Sequence, residues 1–301
     1  MTILQLKYVI TIASSASFRE AAGKLYISQP ALSITVKELE DELNIHIFER
    51  TNKGIRLTKE GEEFLAYAKE AVSHYKLIED RYIEDTKNKS HFSVSMQHYV
   101  FAIHAFVNVI KDVDVSKYVY SVNETRTYEV IENVRNYKSE VGVISYTKSN
   151  EKVIKKLFRE YQLKFYPLMT RDTFVYVSKS HPLADRDILS LEELKDYPCV
   201  SFDQSSESDY YLSEEALSDY DFVKLIKTND RATSAELMYV LNGYSIGTGI
   251  MTESMALKDD FVCIKLQEED ILTIGYIVNN NHVFSDLGEK YIKELEKYKE
   301  V

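Results

Sequence analysis

Ser28, Gln29, Pro30, Ser33, Thr35 and Lys37 share one short stretch, and Arg50, Lys53 and Arg56 follow soon after. Hydroxyls, an amide and cations at that density offer hydrogen bonds and positive charge, the chemistry that holds a duplex backbone. Covalent chemistry has weaker claims. No P-loop, HExxH or GxSxG occurs, and Gly243 with Gly247-Thr248-Gly249 fits a strand turn better than a phosphate cradle. His98 and His104 stand six apart, off metal-ligand spacing, so neither a metal site nor a cofactor is expected. Cys199 sits in Pro198-Cys199-Val200 and Cys263 in Phe261-Val262-Cys263-Ile264, apolar strand contexts in which a thiol is inert.

The basic and hydroxyl residues need elements to hold them. Ser17 followed by Glu20 has capping-box spacing and opens a short helix through Ala21, Ala22 and Leu25. Ser28 caps a second helix with Pro30 in its first turn, where a missing N–H costs nothing. Leu32, Val36, Leu39 and Leu43 form its buried stripe, and Asn44 tolerates the left-handed conformation that ends it. Ser33 and Lys37 fall on another face. Phe48-Glu49-Arg50 and Ile55-Arg56-Leu57 alternate across Asn52-Lys53-Gly54 as a small hairpin. Two short helices and a basic hairpin describe a winged helix-turn-helix.

The run from Ser17 to Gly61 resembles the DNA-binding domain of LysR-type transcriptional regulators. The match lies in Ser28-Gln29-Pro30-Ala31-Leu32-Ser33, Leu39-Glu40, Glu42-Leu43, Phe48-Glu49-Arg50 and Leu57-Thr58. It implies Gln29, Pro30 and Ser33 at the groove, Ser28, Thr35 and Lys37 close by, and Arg50 and Lys53 on phosphates. One departure stands out: the family usually has a basic residue where this chain has Ile34, which could instead touch a thymine methyl.

Length and charge agree with more than one domain. The 301 residues suit two or three, and a 45% hydrophobic fraction supports real cores. The net charge of −11 looks wrong for a DNA binder until it is split. Residues 1–58 hold seven Lys/Arg against six Asp/Glu, a balance of +1, so the acidity lies elsewhere. That weak basicity makes dimer avidity matter. No run of about 18 apolar residues occurs, so no membrane partner is expected. The start lacks a signal-peptide pattern and the two cysteines suit a reducing compartment, so the expected location is cytoplasmic.

Residues 2–14 read as a first helix with Leu6, Ile10 and Ala13 along one side. Thr58 caps a long helix to Lys87, with acidic residues in its first turn. Phe64, Ala68, Ala71, Tyr75, Ile78 and Tyr82 recur at heptad spacing along it, a seam for dimerisation, and the family uses this helix the same way. A polar break at Thr86-Lys87-Asn88-Lys89-Ser90 follows.

Beyond residue 90 strand and helix patterns alternate, which predicts βαβ units and parallel sheets. Strands are expected at 92–96, 118–122, 141–146, 173–178, 199–202, 222–226, 244–249, 261–266 and 271–278. Helices fall between them, including 208–217, and one closes the chain at 285–298. Residues 148–170 show little period and read as lobe-connecting. The order is similar to the family's effector domain, which has the two-lobed periplasmic-binding-protein fold. Crossings are placed near 160–164 and 267–271. In such sheets ligands lie outside the carboxyl ends of strands and at helix N-termini. That nominates Ser95, Met96, Gln97, His98, Thr125, Arg126, Thr127, Tyr146, Phe202, Asp203 and Gly247. In the family, effectors bind in this cleft, and Arg126 or His98 could pair with an acidic one. Some relatives sense peroxide with a cysteine pair in the second lobe; no second cysteine lies near either one here in sequence.

The expected architecture is α/β: a winged helix-turn-helix over 1–58, a linker and dimerisation helix over 59–90, and an effector domain over 91–301. Lobe I spans about 91–161 and 268–301, and lobe II about 162–267. The expected function is sequence-specific DNA binding under the control of a small molecule, without catalysis. Double-stranded DNA, an effector and further copies of the chain are the expected partners, with RNA polymerase a further candidate. The rival is a binding protein or enzyme of the same two-lobed fold whose N-terminal domain serves protein association.

Overall fold

The computed structural model describes the chain apart from residues 52–53, 83–89, 112, 114–117, 205–208, 252–258, 282 and 301. It divides into two units, Met1–Asn88 and Lys89–Val301.

The first unit contains α1 (Ile3–Ala13), α2 (Phe18–Lys24), α3 (Gln29–Leu43), β1 (Phe48–Thr51), β2 (Gly54–Leu57) and α4 (Lys59–Tyr82). The caps lie where the hydroxyls are. Ser17 Oγ accepts the Glu20 N–H at 3.1 Å, and Ser28 Oγ accepts the Ala31 N–H at 3.3 Å. Asn44 ends α3 at φ 52°. Leu32, Val36 and Leu39 are buried on one side of α3, packed against Ile12 and Val9 of α1. The buried side of α1 is Leu6, Val9 and Ile12, not the Leu6-Ile10-Ala13 side. This helix touches both α3 and α4, so it turns a row at steps of three toward the pair.

β1 and β2 pair antiparallel with Glu49 opposite Arg56, and Gly54 takes a φ of 128° at the turn. Glu40 Oε1 fastens the hairpin to α3 by accepting the Ile47 and Phe48 N–H groups at 2.6 and 3.0 Å. Thr58 caps α4 by accepting the Gly61 N–H at 2.9 Å. Gly61 is required by contact: a Cβ there would lie 2.1 Å from the Ile47 carbonyl oxygen. α4 has 24 residues, about 36 Å at 1.5 Å each. Rather than standing apart as a linker, it packs on α1 within the same unit. The expected continuation to Lys87 and the polar break lie largely outside the described residues.

The second unit begins with β3 (Ser90–Met96), α5 (Val100–Lys111), β4 (Tyr118–Glu124), α6 (Thr127–Arg135), β5 (Val141–Tyr146), α7 (Glu151–Glu160) and β6 (Leu163–Arg171). It crosses into β7 (Phe174–Ser178), β8 (Ile188–Leu189), α8 (Leu191–Leu194), β9 (Cys199–Phe202), α9 (Asp209–Leu212), β10 (Leu225–Thr228), α10 (Arg231–Val240), β11 (Tyr244–Gly247) and β12 (Phe261–Leu266). It returns through β13 (Leu272–Asn279) and α11 (Asp286–Glu296). Lobe I is a sheet in the order β4-β3-β5-β13-β6, and lobe II one in the order β10-β9-β11-β7-β12-β8.

Both sheets are mixed rather than parallel. β3 runs parallel to β4 and β5, but β13 is antiparallel to β5 and β6. In lobe II, β7 is antiparallel to β11 and β12. A strand that arrives from the other lobe enters the sheet from the opposite end. The region 148–170 is not a connector: it holds α7 and most of β6. β6 hides its alternation because Pro167 interrupts it and the register shifts opposite Ile274 and Gly275. The first crossing therefore follows Arg171, not 160–164, while the second lies between Leu266 and Leu272. The helix expected over 208–217 shrinks to α9, and Glu214 and Glu215 beyond it bond across the cleft and to lobe II. The strand expected at 222–226 forms instead at Leu225–Thr228.

Candidate functional site

The outer face of α3 carries the first candidate set. Ser28, Gln29, Pro30, Ile34 and Lys37 are exposed, while Ser33 and Thr35 are half-buried. Gln29 Nε2 donates to Ser33 Oγ at 2.8 Å, which holds the amide at the start of the helix. Ile34 is 59% exposed, an apolar side chain kept out of the core. Lys53 and the Arg50 side chain lie outside the described residues. Arg56 Nε sits 3.6 Å from Glu49 Oε1, so the third expected positive charge of the wing is already offset.

Along α4 the heptad seam divides. Phe64 packs toward Val9, Leu39 and Ile47, and Ala68 is 2% exposed. Tyr75 lies under the Lys7 ammonium, 5.4 Å from its ring centre. These three serve the unit's own core, because α1 occupies that side. Ala71 and Ile78 are exposed, and Tyr67 joins them at the same spacing. The Tyr82 side chain lies outside the described residues.

In the second unit a cavity of about 390 Å³ opens between the lobes. Its apolar walls include Phe101, Ile103, Tyr176, Phe202, Met238 and Ile246, and its polar groups are led by His98, Glu214, Glu215 and Arg231. His98, just ahead of α5, is gripped by lobe II. Glu214 Oε2 accepts its backbone N–H at 3.1 Å, Glu214 Oε1 meets Nδ1 at 2.5 Å, and Phe202 stacks on the ring at 3.6 Å. Burial alone would depress the imidazole pKa, but the Glu214 hydrogen bond and charge, with Glu124 behind them, raise it. Arg231 of lobe II pairs with Glu124 of lobe I. Glu215 accepts from Ser201 Oγ at 2.5 Å and the Phe202 N–H at 2.9 Å. Burial, with the Glu214 charge second, pushes its carboxyl up to about 8.

Residues 118–283, more than half the chain, match the model of the LysR substrate binding domain. Residues 3–62 match that of the lysR-family bacterial regulatory helix-turn-helix protein. The chain belongs to the LysR family of transcription regulators. It is 26% identical over 323 residues to a probable RuBisCO transcriptional regulator of Phaeodactylum tricornutum, covering 99% of this chain and 97% of that one. It is 24% identical over 266 residues to the hydrogen peroxide-inducible genes activator of Haemophilus influenzae, covering 86% and 82%. Its fold is similar to that of full-length CbnR solved with its target DNA, with a TM-score of 0.61 at 16% identity over 99% of both chains. A full-length OxyR variant from Pseudomonas aeruginosa aligns with a TM-score of 0.54 at 18% identity over 100% and 95%. This LysR-type protein is a DNA-binding transcription regulator with an effector-binding domain.

Of the positions nominated from sequence, His98, Phe202 and Gly247 line the inter-lobe cavity. The others make contacts within the protein. Ser95 is buried against Ser139 and Asn133, and Met96 lies in the core. Gln97 is buried, donating to Thr127 Oγ1 at 2.6 Å and accepting the Ser145 N–H at 2.6 Å. Thr127 gives its N–H to Gln204 Oε1 of lobe II at 3.0 Å, and Arg126 bonds Asp203 through Nε and Nη2 at 3.0 and 3.1 Å. Both are latches between lobes. Thr125 Oγ1 donates to Glu129, and Tyr146 packs on Phe165. Missed were Glu214, Glu215, Tyr176 and Arg231; Arg231 follows Asp230, whose carboxylate caps α10, and that start signal was legible. Cys199 is buried with its thiol pKa raised by burial, and burial pushes Cys263 up to about 12. Both stay thiols near neutrality.

Proposed function

We propose that α3 is the recognition helix of an operator-binding homo-oligomer, and that an effector in the inter-lobe cavity sets its activity. Ser28, Gln29, Pro30, Ser33, Thr35 and Lys37 read or flank the groove, and Arg50 and Lys53 of the wing touch phosphates. The carrying observation is the two-sidedness of α3: Leu32, Val36 and Leu39 in the core, Gln29, Pro30, Ile34 and Lys37 outward. The CbnR neighbour solved with its target DNA supports a duplex as the partner. Tyr67, Ala71 and Ile78 supply the free apolar stripe by which two copies pair α4, which sets two recognition helices on a two-fold site. The protein acts in the cytoplasm and catalyses no reaction. RNA polymerase is the further partner where it activates.

The test is duplex binding by the full chain across a salt series. Affinity for an operator selected from random duplexes should fall linearly in log–log form, by about 0.9 per phosphate neutralised. Lys53→Ala should lower the slope by about one unit. Salt-independent binding, or none, would defeat the reading.

A further inference from the structure

Resting on the inter-lobe cavity as the effector site, we propose that it takes a small amphipathic amine, the ammonium at Glu214 and Glu215 and the apolar body along Phe101, Tyr176 and Met238.

Charge at the polar end decides this. Among the described lining residues the strong cation, Arg231, is already offset by Glu124, and His98 is held through its ring and its backbone by Glu214. His104 also lines the wall, and burial lowers its pKa, so it is neutral. Glu214 and Glu215 therefore put two adjacent carboxyl groups on the cavity with one imidazole between them. An organic acid arriving here sets a second carboxylate beside that of Glu214 in a desolvated site, where a like charge is costly. An amine completes it.

Glu215 has room for the contact. Each of its oxygens takes one hydrogen bond, from Ser201 and from the Phe202 N–H, and a carboxylate accepts about four in all. The carboxyl that burial and Glu214 hold protonated at neutral pH would ionise beside an ammonium, its proton going to solvent. The aromatic walls suit the same guest, since Tyr176 and Phe202 line the cavity and aromatic rings attract cations. Arg231 Nε is buried with no partner among the described residues, and a neutral acceptor such as a hydroxyl on the guest satisfies it without added charge. A volume of about 390 Å³ admits a guest of roughly phenethylamine size or larger.

Calorimetry on the full chain at neutral pH compares three probes of one shape: phenethylamine, phenethyl alcohol and hydrocinnamate. The expected result is phenethylamine binding about tenfold or more tighter than either of the others. In two buffers of different ionisation heat, its binding should release close to one proton. Glu215→Gln should drop the amine to the affinity of the alcohol and abolish the release, while alcohol binding persists and shows the variant folded. Hydrocinnamate binding tightest, or phenethylamine unaffected by Glu215→Gln, would overturn the amine while leaving the cavity as effector site. Binding by the alcohol alone would do the same. Binding by none of the three would overturn the cavity reading with it.

Discussion

Gln29→Ala is the substitution whose consequence follows most closely from the geometry of α3. The side chain is exposed at the first turn, and its amide is steadied by Ser33 Oγ at 2.8 Å. An amide paired to a base edge is worth about 1–3 kcal/mol, so operator affinity should fall by about 5- to 150-fold. Stability should stay within about 0.5 kcal/mol, because no core contact is lost. Ser33→Ala removes the steadying bond between residues four apart, about 0.2–0.5 kcal/mol, and should cost at least near twofold, more where its hydroxyl itself touches the duplex. Fluorescence anisotropy with a labelled operator and with a scrambled duplex reads both effects. The loss should appear on the operator and not on the scrambled duplex, since a base contact carries sequence information and a phosphate contact does not. Operator affinity within twofold of the parent for Gln29→Ala, with an unchanged melting curve, would show that the start of α3 does not face the bases.

Three further outcomes are expected. Gly61→Ala drives a Cβ onto the Ile47 carbonyl, a backbone clash no rotamer relieves, and should destabilise the first unit by about 3 kcal/mol; an unchanged melt would contradict it. Ile78→Glu buries a charge in the proposed α4 pairing and should shift sedimentation toward monomers, whereas a wild-type profile would remove that face from the interface. Glu215, raised from 4.5 to about 8, and His98, raised above 6.5, both bind protons more tightly in the folded state. Stability from Glu215 is present below its ordinary value and lost up to about 8, and that from His98 is lost as pH climbs through its folded value. The second unit should therefore melt lower at pH 8.5 than at pH 6, and Glu215→Gln should flatten the difference; a rise with pH would reverse the sign.

The parts of this fold that were legible are those governed by contacts close in sequence. Ser28, Pro30 and Asn44 set the ends of α3 whatever surrounds them, and the Leu32-Val36-Leu39 stripe needs only a helix to be buried. β5, β9 and β12 stood out as compact apolar runs bounded by polar residues. What was hidden depends on partners distant in the chain. Heptad spacing makes the α4 seam one stripe in sequence, but α1 takes Phe64, Ala68 and Tyr75 from one side and leaves Ala71 and Ile78 outward. Arg126 looks like an anion site at a helix start until Asp203, from the other lobe, is beside it. Gln97 and Thr127 likewise look like ligand donors in sequence and are absorbed by each other. Glu214 and Glu215 lay in a segment expected to be helical, and nothing local shows that one reaches His98 across the cleft.

Footprinting of the full chain on its selected operator tests the central claim most directly. Two protected half-sites, about 10–10.5 base pairs apart centre to centre or a multiple of that, would show paired recognition helices reading a two-fold site. Absence of protection, or a single protected stretch at the concentration that saturates binding, would contradict the account.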